Sequence, residues 1–256
     1  MSLIINDFFS KIYYINLEED DKKREYFLNT IKKSTLSTTT ERFNAVIGKY
    51  LDIRIIKDNI ISPKAKQDIL AGKQHTYGIS LTYGSLACAL SHHQIFEECR
   101  HQDRPYLIFE DDIVIDHTFD NKLNDILINL SKVESYDIVY LGYNEIPGFT
   151  KKPFDNVLST PYGLITGLYG YILSPQGAKK LIEYIFPLDK QIDSSISDNR
   201  DKFDLYCASD SFVGVKTNFG SKTQQDNSCK NIFNKKINQI SPTVDSHQDY
   251  WDKLFQ

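Results

Sequence analysis

One short segment constrains the fold of this chain more than any other: an apolar run that ends in three adjacent carboxylates. Tyr106–Phe109 reads Tyr-Leu-Ile-Phe, and Glu110, Asp111 and Asp112 follow without a break. An apolar run without alternation is typical of a strand covered on both faces, as in parallel sheets. Adjacent carboxylates repel one another and call for an offsetting positive charge. We therefore expect the strand to deliver them to its carboxyl edge, where open α/β sheets bind ligands.

Strand and helix patterns alternate along the rest of the chain. One strand is predicted over Tyr106–Ile115, with the three acids inside it, and further strands over Lys11–Leu17, Glu41–Ile47, Tyr136–Leu141 and Tyr169–Leu173. Helices are predicted over Lys22–Lys33, Lys64–Leu70, Gly84–Gln102, Phe119–Leu130 and Ser174–Phe186. This alternation predicts an α/β fold with a mainly parallel central sheet flanked by helices. Because no linker rich in Pro, Gly or Ser divides the 256 residues, we expect a single domain over residues 1–256.

Composition excludes several classes of protein. The formal net charge of −4 argues against a general electrostatic nucleic-acid binder. No stretch approaches the roughly 18 apolar residues of a membrane span, and Met1–Ser10 lacks the cleavage site of a signal peptide. The four cysteines form no Cys-x-x-Cys pair and suit a reducing compartment; they are Cys88, Cys99, Cys207 and Cys229. We expect a cytoplasmic protein.

The three carboxylates are the main chemical signal. If the strand continues through them, Glu110 and Asp112 share one face and Asp111 points away. A hard divalent cation, held by one or two carboxylates together with substrate phosphate oxygens, would offset the repulsion. The alternative is a solvated acidic strand end without a metal.

A second signal lies about twenty residues upstream, in the segment Gly84–His92. Its small residues allow a helix to approach the sheet closely, and Ser91 and His92 lie two turns into that helix. A functional interpretation places both side chains at the ligand site. The structural alternative for His92 is a core histidine whose hydrogen bonds are satisfied.

Further short motifs accompany these two signals. Taken in chain order with them, they are Ile15-Asn16-Leu17 with Arg24; Gly84, Cys88, Ser91 and His92; Glu110-Asp111-Asp112; Asp137 with Tyr140-Leu141-Gly142; and Gly170–Ser174 with Gly177, Ala178 and Leu181. This ordered set, from about residue 11 to about residue 195, resembles glycosyltransferase family 25, the lipopolysaccharide glycosyltransferases related to collagen galactosyltransferases.

The resemblance implies a GT-A fold and inverting transfer of a hexose, galactose or glucose, from a UDP-sugar. It also implies Mn²⁺ or another divalent cation, and a lipopolysaccharide or lipooligosaccharide acceptor. The donor would bind the half at about residues 11–142, and the acceptor the half at about residues 143–256. Because such an acceptor is lipid-linked, the enzyme would make peripheral contact with the inner face of the cytoplasmic membrane.

The resemblance also implies roles for single residues. Asp112 would coordinate the metal together with Glu110, which could instead bind the ribose. Arg24 is a candidate for a base or phosphate contact, with a solvated helix cation as the alternative. The full set of donor-binding candidates is Asn16, Leu17, Arg24, Ser91, His92, Glu110 and Asp111.

Inverting transfer needs a general base that removes the proton of the acceptor hydroxyl. The family has an aspartate after a β-branched residue beyond its last helix, and Ile192-Asp193 matches that pattern. Asp193 is therefore the predicted base. Asp189 is the reserve candidate, with a surface acid at a helix end as its alternative.

Two other functions compete with transfer. A metal-dependent phosphohydrolase would use the acidic triplet, but it needs a nucleophilic Asp-x-Asp strand end or a second His/Asp cluster, and the sequence has neither. A non-catalytic sugar-binding module that kept the fold would bind donor or glycan without turnover. Release of UDP from UDP-hexoses distinguishes the three.

Overall fold

The computed structural model describes residues 5–72 and 80–219. Cys229 and the remainder of the predicted acceptor half beyond residue 219 lie outside these ranges. The helices are α1 (Ile5–Phe8), α2 (Asp21–Ile31), α3 (Pro63–Leu70), α4 (Tyr83–Cys99), α5 (Phe119–Leu130), α6 (Pro175–Ile185) and α7 (Ile192–Asp198). The strands are β1 (Lys11–Asn16), β2 (Thr40–Asn44), β3 (Tyr106–Glu110), β4 (Ile113–Val114), β5 (Ile138–Glu145), β6 (Thr150–Pro153), β7 (Leu158–Tyr162), β8 (Ile165–Leu173), β9 (Leu205–Ala208) and β10 (Gly214–Val215).

Eight strands form the central sheet, in the order β2-β1-β3-β8-β5-β9-β7-β6. The pairs β1–β2, β1–β3 and β5–β9 are parallel. The strands β7 and β8 run antiparallel to their neighbours, so the other six strands point in one direction. The predicted α/β class with a mainly parallel sheet is confirmed.

Both faces of the sheet are covered, as the uninterrupted apolar strands predict. Tyr106 and Ile108 of β3 belong to one core, which also contains side chains of α3, α4, α6 and α7. Leu107 and Phe109 belong to the other, which is completed by α2 and α5. Successive side chains of a strand point to opposite faces. The result is a three-layer arrangement of helices, sheet and helices.

Two helices begin with side chains that cap their first turns. Ser174 Oγ accepts a hydrogen bond of 2.9 Å from the backbone N–H of Gly177, which opens α6. A Cβ on Gly177 would lie 2.3 Å from the carbonyl oxygen of Asp137, so this close approach of helix to sheet requires glycine. Thr82 and Ser85 form a reciprocal capping box at the start of α4. None of the helices in the described ranges combines the length and apolar composition needed to cross a bilayer.

Candidate active site

A cleft of about 810 Å³ opens where the parallel strands β1 and β3 end. Its walls are the ends of these two strands, the loop after β2, one face of α4, the start of β8, the start of α7 and residues 215–217. Of the sequence-predicted site residues, seven line this cleft: Leu17, Ser91, His92, Glu110, Asp111, Asp112 and Asp193. The carboxyl edge of a sheet is where α/β folds bind ligands. The fold thus brings together segments that are far apart in sequence.

The acidic triplet does not continue as a strand. β3 ends at Glu110, and Asp111 and Asp112 form a turn before β4 begins. The carboxylates of Asp111 and Asp112 lie 3.1 and 2.8 Å from the same ammonium, Lys23 Nζ. The prediction that Asp111 points away from Asp112 was wrong, because strand alternation stops where the turn begins.

Lys23 supplies the positive charge that the triplet requires. It lies in the first turn of α2, where its backbone N–H donates to the side chain of the capping residue Asp20. Burial opposes the charge on Lys23, but the carboxylates of Asp111 and Asp112 raise its pKa above the ordinary value. The sequence motif pointed to the neighbouring cation Arg24 and not to Lys23. Adjacency to Arg24 is the one feature of the sequence that draws attention to Lys23.

Arg24 lies outside the cleft lining. Its guanidinium pairs with Asp21 on the same helix and donates to the Glu18 carbonyl at 3.3 Å. This arrangement matches the alternative considered for Arg24, a helix cation engaged in local contacts.

Asn16 supports the acidic turn from below. It is buried, and its Nδ2 donates to Asp111 Oδ2 at 2.7 Å. Asn16 does not line the cleft, whereas the next residue, Leu17, does. The structure therefore places Asn16 behind Asp111, and the half-buried Leu17, which follows β1, lines the cleft.

On the opposite wall, α4 presents Ser91 and His92. Ser91 Oγ donates to the Ala87 carbonyl and accepts from the Val46 N–H, both at 2.9 Å, so this hydroxyl ties the helix to the loop after β2. His92 Nδ1 lies 2.8 Å from the Tyr171 hydroxyl. Burial lowers the pKa of His92 to about 4, so the imidazole is neutral at physiological pH.

Glu110 lies on the α4 side of the cleft, with a carboxylate oxygen within 4.8 Å of a ring nitrogen of His92. Lys23 pairs instead with Asp111 and Asp112. Burial, and then the charges of Asp112 and Asp111, raise the pKa of Glu110 to about 8. Several carboxylates that share one partly desolvated site disfavour one another's ionised forms. The cleft therefore holds a surplus of negative charge that an additional cation would offset.

Oxygen donors suited to a hard divalent cation are present in the cleft. Asp112 Oδ1 is buried and has no hydrogen-bond partner among the described residues, and Glu110 lies two residues away. Carboxylate oxygens are the ligands that Mn²⁺ and Mg²⁺ prefer. Asp112 thus offers an oxygen ligand of the kind that the predicted metal takes, and its pairing with Glu110 around that metal stays a prediction.

Asp193 reaches the cleft from the start of α7. Its carboxylate accepts hydrogen bonds from the backbone N–H groups of Ser194 at 2.7 Å and Gly167 at 3.2 Å. Burial raises the pKa of Asp193, although these hydrogen bonds oppose the shift. Gly167 adopts a φ of +89°, and a Cβ there would lie 2.4 Å from the Tyr169 ring. This glycine therefore fixes one of the groups that orient Asp193.

Asp189, the reserve candidate, lies elsewhere. Its side chain is exposed, accepts a hydrogen bond from Ser62 Oγ and does not line the cleft. Of the two aspartates, only Asp193 lies with the acidic turn in one cleft.

Known proteins resemble this chain over the same segments. The family described as Glycosyltransferase family 25 (LPS biosynthesis protein) matches residues 9–196. Human procollagen galactosyltransferase 2 is 27% identical over 183 residues, which cover 68% of this chain and 27% of that protein. A glycosyltransferase 25 family member of Aedes aegypti is 30% identical over 188 residues, covering 72% of this chain and 29% of the relative.

A third relative, from Rattus norvegicus, carries the name "probable inactive glycosyltransferase 25 family member 3" and is 28% identical over 183 residues, 68% of this chain and 30% of that protein. The matches thus span less than a third of the length of these relatives. Among solved structures, a UTP-bound UGPase from Acinetobacter baumannii superposes with a TM-score of 0.41 at 12% identity, over 78% of this chain and 85% of that one.

Proposed function

Because the chain belongs to glycosyltransferase family 25, we propose that it transfers a hexose from a UDP-sugar to a lipopolysaccharide or lipooligosaccharide acceptor with inversion at the anomeric carbon. The observation that carries the proposal is the meeting of the acidic turn, Lys23 and Asp193 in one cleft. Galactose is the first choice of sugar, since relatives are named procollagen galactosyltransferases, and glucose is the second.

The donor half of the proposal is supported by the size and charge of the cleft. A volume of about 810 Å³ lies within the range of small-molecule sites. A diphosphate cannot approach Asp111 and Asp112 without positive charge between them. Lys23 offers one such charge. A divalent cation held by Asp112 and Glu110 would supply more, and would act as a Lewis acid that stabilises the departing UDP.

Leu17, Ser91 and His92 complete the proposed donor site. Leu17 offers apolar surface at the end of β1, where the uracil is proposed to lie. His92 offers a neutral ring nitrogen to a hydroxyl of the donor, while Ser91 holds the helix in place. Asn16 is assigned an indirect part, since it orients Asp111.

Asp193 is the proposed general base. Its carboxylate would take the proton of the acceptor hydroxyl as that oxygen attacks the anomeric carbon and UDP departs from the opposite face. The two backbone N–H groups hold the carboxylate in a fixed orientation, and its raised pKa makes it a stronger base than an exposed aspartate.

The family description, which names lipopolysaccharide biosynthesis, supports the choice of acceptor in this proposal. We propose a lipid-linked oligosaccharide acceptor and action at the inner face of the cytoplasmic membrane. The relatives named procollagen galactosyltransferases are much longer proteins than this chain. Their name makes a collagen-type peptide the second acceptor to test.

Release of UDP tests the proposal. The protein is incubated with UDP-galactose or UDP-glucose, with a lipooligosaccharide or a collagen-type peptide, and with Mn²⁺ or a chelator. Transfer predicts UDP release and a glycosylated product that depend on acceptor and metal. A donor-binding module without turnover, which the name of the Rattus relative brings into consideration, predicts binding of UDP-sugar without UDP release. A phosphohydrolase predicts cleavage that requires no acceptor.

A further inference from the structure

A second group of potential metal ligands lies in the same cleft. Cys88 Sγ, a ring nitrogen of His92 and a carboxylate oxygen of Glu110 all lie within 4.8 Å of one another. Cys88 and His92 are one turn apart on α4, and Glu110 is the last residue of β3. Lys23 Nζ pairs with Asp111 and Asp112, and Glu110 is the member of the acidic triplet that joins this second group.

His92 is prepared for a ligand that the protein itself does not provide. Its side chain is 0% exposed, and Nδ1 is engaged by the Tyr171 hydroxyl at 2.8 Å. Its Nε2 is buried and has no hydrogen-bond partner among residues 5–72 and 80–219. Leaving a buried nitrogen without a hydrogen-bond partner is energetically unfavourable, so such an atom calls for a ligand. Metal-bound histidines commonly have their other ring nitrogen held by a hydrogen bond, as Tyr171 holds this one.

We propose that Cys88, His92 and Glu110 form a binding site for a thiophilic divalent cation, namely Zn²⁺. A thiolate, an imidazole nitrogen and a carboxylate oxygen are each zinc ligands, and three of them leave a fourth tetrahedral position open. The hard cations Mn²⁺ and Mg²⁺ prefer oxygen ligands such as the carboxylate of Asp112. Glu110 is common to both sets, so the two metals compete for it.

Binding of Zn²⁺ by Cys88 replaces a bond to hydrogen with a bond to the metal. The S–H bond breaks as the S–Zn bond forms, and the proton passes to the solvent buffer. Calorimetry in buffers of different ionisation enthalpy detects this release of protons.

The functional consequence rests on the proposed transferase activity. Because Zn²⁺ would engage Glu110 from the α4 side, we expect it to inhibit transfer that Mn²⁺ supports. Excess Mn²⁺ should relieve the inhibition only in part, since it does not bind the thiolate well. The binding of Zn²⁺ itself does not depend on that activity.

Spectroscopic titration with Co²⁺, a coloured substitute for Zn²⁺, tests the site in the full-length protein. We expect one equivalent to give an intense near-ultraviolet thiolate-to-metal band that Zn²⁺ abolishes. Cys88→Ser should remove the band and His92→Gln should weaken binding at least tenfold. The matched controls Cys207→Ser and His93→Gln, which change residues outside the cleft lining, should keep it. A band that survives Cys88→Ser, or Co²⁺ binding without a band, would overturn the proposal.

A second measurement needs no variant. Maleimide labelling of the parental protein, mapped by mass spectrometry, should show Cys88 protected by Zn²⁺ and not by Mg²⁺. Equal labelling with and without Zn²⁺ would also overturn the site. If the Co²⁺ band is present and no donor releases UDP, the zinc site stands and the proposed transferase function fails. If UDP is released and no band forms, the reverse holds.

Discussion

Two buried clusters in this protein contain the same ingredients, aspartate and lysine, and differ in how completely they are satisfied. At the start of β5, Asp137 is 2% exposed and its Oδ2 receives Lys180 Nζ at 2.6 Å and the Asp204 N–H at 2.8 Å. The backbone groups of Asp137 are also bonded, to Asp204 and Ser174. This closed cluster of Asp137, Lys180 and Asp204 lies at the amino-terminal end of β5, outside the cleft lining.

At the opposite edge, Lys23, Asp111 and Asp112 form an open cluster, in which some oxygen atoms lack a hydrogen-bond partner. Asp112 Oδ1 and Asn16 Oδ1 are buried without partners in the described part of the chain. Buried polar groups are normally paired, and exceptions call for an explanation such as an absent ion or ligand. An aspartate–lysine pair alone therefore does not identify a site. The partnerless Oδ1 of Asp112, a residue that lines the cleft, distinguishes the proposed active site from a structural cluster.

The largest effect is expected from Asp193, which adds the base to the open cluster. Asp193→Asn keeps the shape of the side chain and removes its ability to take a proton. We expect the transfer rate to fall by roughly 10²–10⁴-fold, with UDP-sugar affinity near the parental value. Steady-state rates and donor titration measure the two quantities separately.

Asp189→Asn is the matched control for this prediction. Its carboxylate is exposed and bonded to Ser62, so transfer should continue at close to the parental rate. An inactive Asp189→Asn beside a fully active Asp193→Asn would move the base four residues back. Full activity in both would place the base on another residue.

The closed cluster should affect folding and not function. Asp137→Asn breaks a buried ion pair, and Lys180, with a side chain 25% exposed, can recover part of its hydration. We expect the free energy of unfolding to fall by about 2–3 kcal/mol, toward the low end for buried pairs. Donor affinity of the folded protein should be unchanged. Urea denaturation and donor titration test both, and a loss of affinity without a loss of stability would contradict the comparison.

The open cluster should show the opposite pattern. Asp112→Asn removes one of several crowded negative charges, while Asp111 continues to pair with Lys23. We expect the free energy of unfolding to change by less than about 1 kcal/mol. Metal-dependent UDP affinity should fall at least tenfold, or about 1.4 kcal/mol. Full transfer by the parental protein in excess chelator would remove the metal from the proposal.

The contrast between the two clusters also shows what the sequence can predict. The predicted strand Tyr106–Ile115 is confirmed as far as Glu110, because the unbroken apolar run before the acids indicates burial on both faces. The contact of Lys23 with Asp111 joins residues 88 positions apart, so no local pattern reveals it. The same limit hid the position of β8 between β3 and β5, which follows from pairing and not from periodicity.

Short edge strands were missed for a different reason. β6 reads Thr-Lys-Lys-Pro and is held by antiparallel pairing with β7, so its residues carry no apolar signal. The turn at Asp111 and Asp112 was mistaken for strand because nothing in the three acids marks where alternation ends. Family resemblance supplied Asp193, whose surroundings alone would not have separated it from Asp189.

A smaller effect, on stability against pH, comes from Glu110. Its pKa is about 8 in the folded protein and near 4.5 when unfolded, so the folded state binds the proton more tightly between these values. Stability that this group contributes is present below pH 4.5 and is lost as pH rises through 8. Glu110→Gln should therefore be more stable than the parent at pH 8, by more than about 1 kcal/mol, and closer to it at pH 5.

The window from pH 6.5 to 8 isolates this effect. His92, whose pKa falls to about 4 on folding from an ordinary value of 6.5, adds stability as pH rises from 4 to 6.5 and no more above it. Denaturation in chelator across the upper window should show the parent losing stability relative to Glu110→Gln. Parallel curves for the two proteins would show that Glu110 is already ionised at neutral pH.

The smallest effect is expected from substitution of Arg24. Its neighbour Lys23, which lines the cleft, is the matched control. The Arg24 side chain is 31% exposed and pairs with Asp21, which is 78% exposed, on the same helix. Pairs of this kind contribute about 0.3–0.5 kcal/mol. Arg24→Gln should therefore change stability by less than about 0.5 kcal/mol and donor affinity by less than about twofold.

Lys23→Gln leaves Asp111 and Asp112 without their ammonium, so donor binding should weaken and depend more steeply on Mn²⁺ concentration. Isothermal titration with UDP at several Mn²⁺ concentrations measures both variants. If Arg24→Gln weakens UDP binding more than Lys23→Gln does, the guanidinium moves into the cleft when the donor binds, and the cation of the open cluster is the one that the family resemblance named.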